Sequence, residues 1–103
     1  MLVGNTIYQT GVEDGVPWEW VATYEADGSM RGRTWSRRGT WEAGGRWKTT
    51  NDNLFCREWN RYWSKYGCYK IYSYGDVLIF KKVSGSGDNV QQAKSLAGNP
   101  YKL

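Results

Sequence analysis

Between Trp18 and Tyr24 the chain places Trp18, Trp20, Ala22 and Tyr24 on one parity, and Glu19, Val21 and Thr23 on the other. Period-two alternation of this kind describes a strand with one face buried, and a helix cannot satisfy it. The same parity returns between Gly39 and Thr49, where Trp41, Ala43, Gly45 and Trp47 oppose Thr40, Glu42, Arg46 and Lys48. One long strand is expected there, with Gly44-Gly45 supplying a bulge or bend. Seven Trp and eight Tyr stand among 103 residues, so aromatic rings must supply the buried area that aliphatic side chains supply elsewhere. The chain length allows one domain with one core.

The turn after Tyr24 decides which residues the tryptophans face. A two-residue Asp27-Gly28 loop would bring Arg31, Arg33 and Arg37 to the Trp18 and Trp20 side, whereas a three-residue Ala26-Asp27-Gly28 loop brings Met30, Gly32, Thr34 and Ser36 there. The second register is expected, because an unpaired guanidinium inside the core costs several kcal/mol, on the order of a buried charge. Asn51-Asp52-Asn53 makes the next turn, Leu54 to Trp59 the next strand, and Cys68 to Tyr74 with Val77 to Lys82 a hairpin about Gly75-Asp76. Residues 84–103 are mostly small and polar and read as a partly mobile tail, with a short strand or helical turn at Val90 to Leu96. The expected architecture is therefore all-β: a small antiparallel up-and-down sheet or barrel of about six strands with little helix, spanning 1–103 as a single domain. Trp18, Trp20, Tyr24, Trp41, Trp47, Ile71 and Phe80 are the expected core.

Cys56 and Cys68 have neither a CxxC partner nor other thiol ligands nearby, which favours one disulfide across neighbouring strands over a zinc site. A bridge implies an oxidising compartment, periplasmic or secreted, with Met1 an introduced start and any signal peptide removed. No apolar run approaches the roughly 20 residues of a membrane-spanning helix. The net charge of +4 favours acidic partners without requiring them.

Catalytic chemistry finds little support. The chain contains no His, which removes Ser-His-Asp and Cys-His arrangements and the commonest metal ligand, so no catalytic residue, cofactor or metal is expected. Glu13, Asp14, Glu19, Glu25, Glu42 and Glu58 show no spacing that singles out an acid and base pair. Gly85-Ser86-Gly87 lacks both the phosphate-loop and the nucleophile-elbow patterns, and Asp52 lacks the remaining ligands of a calcium loop.

Two segments carry recognition chemistry instead. Arg31, Arg33, Arg37 and Arg38 form a basic patch on the outer face, the alternative being that Glu19 and Glu25 across the strands neutralise part of it. Trp59, Arg61, Tyr62, Trp63, Lys65 and Tyr66 interleave rings with cations in a loop whose ends the disulfide holds, a composition suited to stacking on a ligand ring while pairing with an anion. The alternative for this loop is that Trp59 and Trp63 cap one end of the barrel.

Gly4-Asn5-Thr6, Tyr24 with Asp27-Gly28 and Gly32, Gly39 with Trp41, Cys56 with Trp59, Cys68-Tyr69, Gly75-Asp76 with Phe80, and Gly98-Asn99-Pro100 occur in an order that resembles small exported bacterial proteins of the DUF995 kind. The resemblance implies export, a two-cysteine bridge and an all-β fold, and it implies no activity. Asn60 to Tyr66 departs from that pattern in being longer and more aromatic. The function expected from all this is an exported binding module for a small ligand or an envelope component. A protein-interaction module, such as an inhibitor of an envelope or foreign enzyme, is the alternative, and nucleic acid ranks below both.

Overall fold

The computed structural model describes residues 3–63, 66–85, 90–101 and 103. Eight strands run in chain order, with no helix among the described residues: β1 Thr6–Glu13, β2 Val16–Tyr24, β3 Ser29–Ser36, β4 Gly39–Thr49, β5 Phe55–Trp59, β6 Tyr66–Tyr74, β7 Val77–Gly85 and β8 Val90–Leu96. Each pairs antiparallel with its chain neighbours, and β8 returns to β1 through Thr6–Leu96, Ile7–Ser95 and Tyr8–Lys94, closing the barrel. Closure gives every strand a neighbour on each side and so shortens the exposed edges, although residues 9–13 of β1 have no partner on β8 and residues 39–44 of β4 none on β5 among the described residues. The sequence expectation of about six strands omits β1 and leaves β8 open; both carry polar residues on their inward parity, so neither shows a clean apolar alternation.

The turn between β2 and β3 has the three-residue form. Trp18 faces Ser36, Trp20 faces Thr34, Ala22 faces Gly32 and Tyr24 faces Met30, while Gly28 closes the loop at φ +89° and donates to Glu25 O. Only a residue without Cβ adopts that φ without strain. Asp27 accepts from both the backbone N–H and the hydroxyl of Ser29, which fixes the turn and holds its carboxyl below the usual carboxylate range. No bulge appears at Gly44-Gly45; β4 stays continuous and serves β3 with one half and β5 with the other. The register shift falls instead between Cys68 and Tyr69 on β6.

Cys56 and Cys68 stand opposite each other on β5 and β6 and form a disulfide with Cα atoms 4.0 Å apart. The core gathers at one end of the barrel, where Tyr24, Phe55, Tyr69 and Phe80 pack edge to face with ring centroids 5.1 to 6.1 Å apart and Ile7, Met30, Leu78 and Ala93 fill between them. Of the expected core, Trp20, Tyr24 and Phe80 are buried, and Trp18, Trp47 and Ile71 pack half-buried against it. Trp41 is a correction. It is 36% exposed, because its inward position lies at the far end of β3 and β4, beyond the packed layer.

Candidate ligand cavity at the open end of the barrel

Eight strands enclose an interior that side chains just fill or that holds one small ligand, by the general scaling of about that strand number. Here the two solutions divide the barrel. The aromatic core fills the end that carries the 25–29, 50–54 and 75–76 turns, and a cavity of about 880 Å³ occupies the other. Its walls are Trp18 and Trp20 from β2, Thr34 and Ser36 from β3, Trp41 from β4, Arg57 and Trp59 from β5, Gln91 from β8, and Tyr62 and Trp63 from the segment after β5. Glu13 and Arg38 stand at the rim and carry opposite charges.

The tryptophan wall is a mutually braced cluster. Trp20 meets Trp59 and Trp63 edge to face with centroids 5.9 Å apart in each case, and Trp59 meets Trp63 at 4.8 Å. Glycines opposite these rings provide their space. A Cβ at Gly32 would stand 2.8 Å from the Trp59 ring and 2.9 Å from that of Trp63, and one at Gly11 would collide with the Trp18 indole lying across it. Offset edge-to-face pairs of this kind contribute roughly 0.5–1.5 kcal/mol each beyond their area burial. The indoles therefore form a fixed surface rather than a set of independent rotors.

Arg57 lies at the inner limit of this wall, on β5 just before the loop residues that the sequence singles out. It shares its inward parity with Phe55 and Trp59 and is 7% exposed. Its Nη1 donates to the Tyr24 hydroxyl oxygen at 2.7 Å and its Nη2 to Gln91 Oε1 at 2.9 Å, both neutral acceptors. The faces of Tyr69, Phe80 and Trp20 lie 5.0, 5.4 and 5.6 Å from its guanidinium carbon. No carboxylate of a described residue pairs with it; the described ion pair is Arg33–Glu42 on the outer surface. An uncompensated buried charge costs several kcal/mol, on the order of the desolvation penalty for one ion, and the three ring faces offset part of it. Burial pushes the Tyr24 hydroxyl up, with Arg57 opposing, so Tyr24 stays neutral beside the cation. Elsewhere on the wall the buried Thr34 Oγ1 makes no hydrogen bond among the described residues.

The sequence-predicted loop is split by the fold. Trp59, Tyr62 and Trp63 reach the cavity, with Trp59 3% exposed as part of the core and Tyr62 58% exposed at the mouth. Arg61 turns outward, stacks 4.9 Å over the Tyr62 ring and donates its Nε to Glu42 O. Tyr66 lies on the outer face of β6, its hydroxyl 3.1 Å from Cys68 Sγ. Lys65 lies outside the described residues, as do Ser86 and Gly87.

The basic patch is dispersed likewise. Arg31 and Arg37 are exposed, Arg38 reaches the cavity rim, and Arg33 pairs with Glu42 directly opposite it on β4. Glu19 and Glu25 do not serve as its partners: Glu19 faces Trp35 across the sheet and accepts the Tyr8 hydroxyl at 2.8 Å, and Glu25 lies in the turn.

Comparison with known proteins finds no matching family model, curated protein or solved structure. Among the described residues no cluster of His, Cys, Asp and Glu could hold a metal ion, and no helix is long and apolar enough to cross a membrane.

Proposed function

We propose that this barrel is an exported binding module that holds one small, flat, largely apolar molecule in its open end. The observation that carries the reading is the braced indole wall: Trp20, Trp59 and Trp63 are locked against one another and still border a cavity of about 880 Å³. Ligand sites are concave, mostly apolar and lined by a few placed polar groups, and rigid rings lose little conformational freedom when a ligand docks. A flat or protruding Trp-Arg surface would have favoured a protein partner, but Trp59 and Trp63 turn inward. Export is supported by the Cys56–Cys68 disulfide, since such bridges persist in oxidising compartments, periplasmic or extracellular.

Titration with N-phenyl-1-naphthylamine, a neutral aromatic probe, tests the reading. Saturable one-site fluorescence enhancement with energy transfer from tryptophan is expected. Tyr62→Ala with Trp63→Ala should weaken it by about 2 kcal/mol or more, as truncation of aromatic anchors does, while far-UV circular dichroism stays unchanged. If the double variant unfolds yet each folded molecule binds as before, the 59–63 segment is a structural cap and the reading is wrong.

A further inference from the structure

We propose that the ligand is an organic monoanion whose acid group enters first and docks on Arg57, leaving its apolar body against the indoles; this rests on the cavity being a ligand site. Three observations converge on it. Arg57 is more than nine-tenths buried, borders the cavity and has no carboxylate partner among the described residues. Its guanidinium presents five N–H donors in a planar fork that matches a carboxylate, and Tyr24 and Gln91 occupy one on each terminal nitrogen. Thr34, on the same wall, has its Oγ1 buried with no hydrogen-bond partner among the described residues.

The charge pattern narrows the class. Among the described residues that line the cavity, Glu13 and Arg38 carry opposite charges, so the net charge of the lining is the single positive charge of Arg57. One interior positive charge suits one acid group, not a di- or triphosphate, and it repels metal ions and amines. The ring faces of Tyr69, Phe80 and Trp20 hold the guanidinium in place, so an incoming acid meets a preorganised donor set.

The test compares 1-anilinonaphthalene-8-sulfonate with N-phenyl-1-naphthylamine, which has the same ring system without the sulfonate. Wild-type protein should bind the sulfonate at least tenfold more tightly, and Arg57→Leu, which places an apolar side chain among rings, should abolish that preference while retaining the neutral probe. Should Arg57→Leu not fold, the Arg57 side-chain Nε–H resonance of the wild type decides: it shifts on addition of the sulfonate and stays in place with the neutral probe. Equal affinity for both probes would overturn the acid assignment and leave the cavity reading standing, as would a preference that survives in folded Arg57→Leu. Binding of neither probe would overturn both.

Discussion

Arg57 sits in β5, Phe-Cys-Arg-Glu-Trp, between two aromatic residues of its own parity. The same parity that keeps Arg31 and Arg33 away from the tryptophans places Arg57 inside, beside Phe55 and Trp59. Charge and parity conflict there, and parity wins because three ring faces and two neutral acceptors receive the guanidinium. Tyr24→Phe is therefore expected to destabilise the fold by about 1–3 kcal/mol, the effect of leaving a buried donor without its acceptor, as read by urea denaturation. Tyr8 on the outer surface offers an independent check. Its hydroxyl donates to Glu19 and its pKa is pushed up from 10 to about 12, first by that hydrogen bond. Because the folded value lies above the free one, the neutral form is what folding favours; this contribution is full below pH 10 and is lost as pH rises from 10 through about 12. Ultraviolet titration should find a tyrosine ionising at about 12 in the wild type that returns toward 10 in Glu19→Gln.

At the level of elements, legibility followed how completely one face of each strand is apolar. β2, β3 and their turn were readable because Trp18, Trp20 and Tyr24 mark the parity and Asp27-Gly28 specifies the loop, so the register Trp20–Thr34 follows. β1 was not, and Val90 to Leu96 reads either as the strand it forms or as a helical turn, since Gln9 and Gln91 occupy positions that face the cavity and break the apolar pattern. The same polarity that hid these strands is what a ligand cavity requires, and the strands hardest to find thus line the site. Gly32 on β3 links packing to function: its missing Cβ is the space that Trp59 and Trp63 occupy. Gly32→Ala should displace both indoles, costing roughly 1–3 kcal/mol as overpacking does. Near-UV circular dichroism should change with it, and affinity for N-phenyl-1-naphthylamine should fall several-fold; an unchanged near-UV spectrum would show that the indole cluster is not braced as described.

Across the whole molecule the barrel separates what holds it together from what it holds. The aromatic core fills one end, the disulfide ties β5 to β6, and the residues after β8 pack along the outside of β1, β2 and β3. There Thr6, fully buried, donates to Gly98 O at 2.7 Å. Tyr101 stacks on Tyr8 and tilts against Trp35, while Arg33 Nη1 donates to Tyr101 O. None of the described residues of this outer strap borders the cavity. Ending the chain after Ala97 removes the Thr6 acceptor and both ring contacts, so the loss should be about 1–3 kcal/mol, the cost of one unsatisfied buried donor with modest aromatic terms. Strand β8 and its pairing to β1 remain intact in that variant, and the indole wall is untouched. Affinity for N-phenyl-1-naphthylamine should consequently stay within twofold of the wild type at temperatures where the truncated chain is folded. A tenfold loss under those conditions would mean that the outer strap sets the spacing of β1 and β2 and, through Trp18 and Trp20, the shape of the cavity itself.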